Sequence, residues 1–142
     1  MLAKSQYKDH VIVCGYGMVG ERIVEILLQA GIKIVVIEID KAKGDMLKGR
    51  ELDFLIGDAT SSMTLKAAGI EKAQAIAVVM DDDAKNLFAV ITAKSLNPDI
   101  LIATRANNEF IKGKLIEIGA KYVATPNYST SEELLREIEK KA

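Results

Sequence analysis

Cysteine is nearly absent from this chain, and the single residue present, Cys14, has no partner for an intramolecular disulfide. Secretion as a disulfide-stapled fold therefore gains no support. Histidine is equally scarce: His10 stands alone, so neither a Ser/His/Asp nor a Cys/His catalytic arrangement can be assembled around it, and no Cys/His metal spacing exists. An excess of basic charge is missing too. The 19 basic and 20 acidic residues leave a formal charge of −1, which argues against a general nucleic-acid binder. No uninterrupted apolar run approaches the roughly 18 residues of a membrane-spanning helix. The opening Met1-Leu2-Ala3-Lys4-Ser5-Gln6 lacks the apolar core of a signal peptide. Linkers, low-complexity stretches and short repeats are absent as well. What is present is ordinary for a globular protein: 142 residues, 49% hydrophobic and 27% charged. The expectation is a soluble intracellular chain forming one domain over 1–142, large enough to bury a real core.

Apolar clusters recur at even spacing with helical stretches between them. Strands are expected over 10–14, 33–38, 53–56, 75–80, 100–104 and 121–124, most of them β-branched and buried on both faces. Over 18–30, Val19, Ile23, Ile26, Leu27 and Ala30 share one helical face, with Gly31 closing the helix. A short helix over 41–50 is capped by Asp40 and weakened by Gly44 and Gly49. Thr60 or Ser61 opens a helix ending near Gly69, Asp83 caps one over 84–96, and Asn107 or Asn108 caps one closing at Gly119. Pro126 ends the last strand, and a final helix starts near Ser129 or Ser131. Strands alternating with helices imply right-handed crossovers. The fold class is α/β, a doubly wound, parallel, six-stranded Rossmann-like sheet in the order 3-2-1-4-5-6 with a C-terminal crossover helix.

Gly15-Tyr16-Gly17-Met18-Val19-Gly20 is a GxGxxG placed where it has chemical meaning, after a strand and opening a helix. Gly15 permits the tight turn, Gly17 lets a pyrophosphate approach the backbone, and Gly20 lets the helix pack closely on the strand. Free amides at the helix start then face the phosphates. Glu38 ends the second strand 18 positions past Gly20, close to the ~20 of dinucleotide sites, where a carboxylate accepts from ribose hydroxyls and repels a 2′-phosphate. The alternative for Glu38 is a solvated strand end. Lys41 and Lys43 are the nearby cations that would act against rejection of a 2′-phosphate.

Other candidates follow later strands. Gly57-Asp58-Ala59-Thr60 sits at the carboxyl edge, where Asp58 either accepts from an adenine amino group or forms a turn and cap with Thr60. Asp81-Asp82-Asp83 reads better as helix-terminal acids than as a cation site, because consecutive side chains point in different directions. Arg105, at the end of the fifth strand, reaches a phosphate or pairs with one of those acids. His10 lies at the opposite edge and reads as structural or solvated, and Cys14 packs as a small apolar residue.

The segments His10–Gly20, Val36–Asp40, Gly57–Thr60, Leu65–Ala73, Asp82–Asn86, Ile102–Ala106 and Gly119–Pro126 together resemble the RCK/KTN domain, the TrkA-N family, the cytoplasmic regulatory domain of potassium channels and transporters. The match spans 9–126, with a crossover helix over about 129–142. The resemblance implies a nucleotide-binding regulator rather than an enzyme, with no catalytic residue and no metal. The implied ligand is NAD(H) or one of ATP, ADP and AMP. By position, Gly15, Tyr16, Gly17, Met18, Val19 and Gly20 would take the phosphates and Glu38 the ribose. Asp58, Ala59 and Thr60 would take the adenine side, while Asp83, Asn86 and Arg105 would line the rest of the crevice. The implied partners are a second copy in a homodimer or larger ring and a membrane pore or transporter subunit, which places the domain in the cytoplasm at the inner face of the membrane. The reading from another class is a small NAD-dependent oxidoreductase, for which a catalytic acid or base and a substrate domain are lacking.

Two helices carry the expectation of self-association. The helix over 84–96 is apolar nearly all round, with Phe88 among its residues, and the final helix presents Leu134, Leu135 and Ile138 on one stripe. Left in water, such surface costs about 25 cal/mol per Å².

Overall fold

The computed structural model describes residues 6–141, so residues 1–5 and 142 of the expected domain lie outside the described residues. Six parallel strands, β1 (Val11–Cys14), β2 (Ile34–Glu38), β3 (Asp53–Ile56), β4 (Ala75–Val78), β5 (Leu101–Arg105) and β6 (Tyr122–Ala124), form one sheet. Their order is β3-β2-β1-β4-β5-β6, the doubly wound order the alternating pattern predicts. The register pairs Val13 with Val36 on one side and with Ala77 on the other, so β1 is the central strand at which the winding reverses.

The period of two along each strand divides the core. Ile12, Cys14, Val35, Ile37, Ile76, Val78 and Ile102 face one layer, packed by Leu65, Ala89, Val90, Ala93 and Leu115. Val13, Ile34, Val36, Ala77 and Val79 face the other, packed by Val24, Leu47 and the Tyr16 ring. Helices therefore cover both faces, as a parallel sheet requires. The helices are α1 (Met18–Gln29), α2 (Lys41–Asp45), α3 (Ser62–Ala67), α4 (Asp83–Leu96), α5 (Glu109–Glu117) and α6 (Pro126–Glu139), with a 3-10 turn over Ile70–Lys72.

Strand ends shift by one or two residues from the sequence reading, and three helix boundaries differ for a local reason. The cap of α4 is Asp82, whose carboxylate accepts from Lys85 N, not Asp83. Two adjacent aspartates are equivalent as caps in composition, and only the one whose backbone is extended can fill the role. The helix after Asp40 stops at Asp45 rather than reaching residue 50, consistent with the low helix propensity of Gly44 and Gly49. The last helix begins at Pro126, not near Ser129 or Ser131. Proline at the first helical position loses nothing, because that amide has no partner inside the helix.

The described side chains of α6 from Thr130 onward are all exposed, Leu134, Leu135 and Ile138 among them. On α4, Ala89, Val90 and Ala93 are buried against the sheet while Phe88 and Ile91 face outward. The helices that the sequence marks as short of partners thus keep their apolar stripes uncovered within one chain.

Candidate nucleotide-binding cleft

A cleft of about 240 Å³ opens at the carboxyl edge of the sheet, at the reversal point between β1 and β4. Its floor is the loop after β1. Gly15 takes φ +103°, a region that disfavours any side chain, and its N–H donates to Ile37 O at 2.9 Å. Gly20 lies against the same turn: a Cβ there would stand 1.9 Å from the Gly15 carbonyl oxygen. Gly17 is the opposite case. Nothing lies within 4 Å of where its Cβ would be, and it lines the cleft. It is also the N-cap of α1, and no side chain caps that helix. The first amides of a helix have no intrahelical acceptor, so this end offers donors and the positive end of the helix dipole.

Glu38 is 7% exposed, so it is not a solvated strand end. Oε1 accepts the Tyr16 N–H at 2.9 Å and Oε2 the Asp40 N–H at 2.8 Å. A carboxylate offers about four lone-pair directions, which leaves acceptor capacity on the cleft side, where Glu38 is a lining residue. Asp40 accepts from Ala42 N at 2.9 Å and caps α2, as expected. Asp58 takes both Thr60 N (2.9 Å) and Thr60 Oγ1 (2.7 Å) on one oxygen. The Thr60 hydroxyl and amide hold the Asp58 carboxyl below its ordinary pKa. The turn with Thr60 is formed, and Asp58 and Ala59 also line the cleft.

The remaining expected residues lie outside the lining. The Tyr16 ring is buried in the α1-side core, and its hydroxyl meets Arg50; burial pushes that hydroxyl up, with Arg50 opposing. Arg50 in turn pairs with Glu25 of α1. Met18 is 84% exposed at the start of α1, and Val19 packs inward. Asn86 is fully buried and bridges two strand ends: Oδ1 accepts Met80 N at 3.0 Å, while Nδ2 donates to Met80 O at 2.8 Å and to Arg105 O at 3.4 Å. Asp83 accepts Asn107 N with both oxygens at 3.1 Å. Arg105 reaches Asp81 at 3.5 Å and Asn107 Oδ1 at 3.3 Å, and its buried Nε–H has no acceptor among the described residues.

Sequence reasoning missed Ile39, Met80 and Lys85 as lining residues, and it placed Lys43 beside the ribose and Asp81 and Asp82 at a helix end without assigning them to the cleft wall. Their signal was adjacency to a strand end. Ile39 follows Glu38 directly and exposes an apolar side chain at the cleft, a surface suited to the face of a base. Away from the cleft, His10 is buried, with Nε2 2.7 Å from Ala68 O. Cys14 is buried, and burial pushes its thiol up to about 12, which leaves it the inert packing residue expected. Among the described residues no cluster of three or more His, Cys, Asp or Glu is placed to hold a metal, and no helix is long and apolar enough to cross a membrane.

The family model described as the TrkA-N domain matches residues 11–126. Potassium channel protein 1 of Methanocaldococcus jannaschii is 38% identical over 120 residues, covering 83% of this chain and 36% of that protein. The chain thus spans about a third of the length of this relative. Among solved structures, the TrkA-N domain of the Escherichia coli inner membrane protein ybaL superposes with a TM-score of 0.88 at 27% identity, covering 92% of this chain and 97% of that one. The GsuK channel bound to NAD gives a TM-score of 0.76 at 18% identity, covering 84% of this chain and 22% of that one, and the same channel has also been solved bound to ADP. The GsuK likeness is one of fold.

Proposed function

The chain belongs to the TrkA-N domain family, and on that premise we propose that it is a ligand-sensing regulatory domain that binds an adenine nucleotide or dinucleotide and controls potassium movement through a channel or transporter. The observation that carries the reading is the uncapped start of α1 above an open Gly17, beside a buried Glu38 with acceptor capacity to spare. The amides of the Gly15–Gly20 loop hold the phosphates. Glu38 accepts from the ribose hydroxyls, and Ile39, Asp58, Ala59 and Thr60 form the adenine side. Asp83, Asn86 and Arg105 act one step back, fixing the ends of β4 and β5 that shape the wall.

NAD(H), ATP, ADP and AMP share the adenosine phosphate unit that these groups suit, and the GsuK structures hold two members of that set. The cleft brings together carboxylates, two lysines and backbone amides, a set suited to binding, so the proposed role is regulatory and not enzymatic. The relatives' names, potassium channels and a potassium-efflux system, support potassium transport as the process and a membrane pore or transporter as the partner; the place proposed with them is the cytoplasmic face of the membrane. The uncovered stripes on α4 and α6 support a homodimer, or a ring built from such pairs, in which α6 crosses to a neighbour. Light scattering on the wild-type chain, on Phe88→Asp and on a chain lacking 129–142 tests this; a monomer in all three overturns it.

The ligand reading is tested by thermal shift and calorimetry with NAD, NADH, ATP, ADP, AMP and NADP. A ligand at a hundred times its Kd adds about 2.7 kcal/mol, a shift of several degrees. No shift with any of them overturns it. Hydride-transfer assays separate the regulator from a small oxidoreductase: turnover of NAD with any alcohol or hydroxy-acid panel member favours the latter.

A further inference from the structure

Five carboxylates line the cleft, those of Glu38, Asp40, Asp58, Asp81 and Asp82, against two cations, Lys43 and Lys85. The carboxylates are all engaged. Glu38 holds Tyr16 N and Asp40 N, Asp40 holds Ala42 N, Asp58 holds Thr60, Asp81 meets Arg105, and Asp82 holds Lys85 N. The ammonium groups are not: among the described residues neither the Lys43 nor the Lys85 Nζ takes part in a hydrogen bond or a close ion pair. Lys85 acts on Asp58 only through its field, as the least of the influences lowering that carboxyl.

The phosphate loop supplies no cation of its own. Met18, Val19 and Gly20 are uncharged, and the charged residue of the first turn of α1 is the acidic Glu21. Helix amides carry only partial charge, which falls short of the two or three negative charges of a diphosphate in a cleft already rich in carboxylates.

We propose that Lys43 and Lys85 are the charge partners of the ligand's phosphates, reaching the cleft from opposite sides of the reversal point and selecting ligands by phosphate number. The inference rests on the nucleotide reading above and adds to it which residues set the preference. Lys43 stands in the last turn of α2, after β2, and Lys85 in the first turn of α4, after β4. A ligand engaging both bridges the two halves of the sheet. An adenosine diphosphate unit, with more charge than AMP, gains from both lysines, whereas adenosine gains from neither.

The test is calorimetric titration of the wild-type chain, Lys43→Met, Lys85→Met and the double variant with ADP, AMP and adenosine, at low and high salt. Methionine keeps much of the length and apolar stem of lysine, and neither residue is in the core, so the ligand-free melting temperature serves as the folding control. Each substitution is expected to weaken ADP about threefold to tenfold, the range of partly exposed, charge-assisted contacts. The double variant should lose most of the salt dependence and most of the preference for ADP over AMP, with adenosine unaffected. Unchanged ADP affinity and salt dependence in the double variant overturn the proposal while leaving nucleotide binding intact. A parallel loss of adenosine overturns it as well, since the lysines would then be touching base or sugar. Should adenosine not bind detectably to the wild-type chain, the ADP arm decides alone. A wild-type chain that binds none of the three overturns the nucleotide reading itself.

Discussion

Glu38 and Tyr16 are joined across 22 positions by a hydrogen bond of 2.9 Å, from the Tyr16 amide to Oε1. The other oxygen takes the Asp40 amide, so one buried carboxylate fixes both the glycine loop and the chain leaving β2. Glu38 therefore builds the loop with one lone pair of each oxygen and, in the proposed reading, keeps the others for the ligand.

From this follows the first prediction. Glu38→Ala leaves the buried Tyr16 amide and the half-buried Asp40 amide without an acceptor and is expected to cost about 2–4 kcal/mol, read as a lowered urea midpoint. Glu38→Gln keeps one acceptor oxygen and should recover roughly half of that. It should also narrow the preference for NAD over NADP, because the neutral amide no longer repels a 2′-phosphate. Glu38→Ala at wild-type stability would remove the loop-building role.

Asn86 is the corresponding fixture on the other side of the reversal point. Its side chain serves both the N–H and the C=O of Met80, and reaches the Arg105 carbonyl. Asn86→Ala opens a cavity and leaves Met80 N–H without its acceptor, for an expected cost of about 2–4 kcal/mol. Denaturant unfolding measures this. Hydrogen exchange at Met80 should also accelerate, and slow exchange there in the variant would contradict the assignment.

The contrast between these two residues shows what the sequence makes legible. Strand order, the two-sided core and the glycine turn follow from local patterns: the β-branched runs, the period of two in Ile12-Val13-Cys14 and the spacing of Gly15, Gly17 and Gly20. Glu38 was visible because its distance from that motif is fixed by one βαβ unit. The role of Asn86 was not, since it arises only when β5 is laid beside β4 and brings Arg105 to the end of a neighbouring strand. Lys43 and Lys85 were equally hidden as a pair. They lie 42 positions apart, and only the reversal of winding at β1 sets their helices on either side of one cleft. The cap of α4 was displaced by one residue because Asp82 and Asp83 differ in backbone conformation, which composition does not encode.

Asp58 and Thr60 give a prediction in pH. The Asp58 carboxyl titrates below its ordinary value of 3.8, chiefly through the Thr60 hydroxyl and then its amide. Its folded pKa is depressed, so the ionised turn stabilises the fold above about pH 3.8, and that contribution fades as pH falls through the lowered value. The group is largely exposed, and solvent screening keeps the effect small. NMR titration of the side-chain carboxyl reads it directly. Thr60→Val removes the first cause and should move the Asp58 midpoint back toward 3.8; an unmoved midpoint would mean that the hydroxyl is not its partner.

Gly17 and Gly20 are three residues apart in one motif, and the structure predicts opposite failures for them. A Cβ on Gly20 would stand 1.9 Å from the Gly15 carbonyl oxygen and 2.9 Å from its carbonyl carbon, backbone atoms that cannot move without opening the turn. Gly20→Ala is therefore a folding mutant, with a loss of about 3 kcal/mol or more expected from overpacking against a fixed backbone. A Cβ on Gly17 meets nothing within 4 Å, and the φ of −86° is open to any residue. Gly17→Ala should fold with a melting temperature near that of the wild-type chain. The methyl group would occupy the space that the phosphates need, so nucleotide binding should fall at least tenfold. Melting curves with and without ADP or NAD separate the two: Gly20→Ala melts well below the wild-type chain, whereas Gly17→Ala keeps the wild-type transition and loses the ligand-induced shift. Wild-type affinity in Gly17→Ala would place the ligand somewhere other than across this loop.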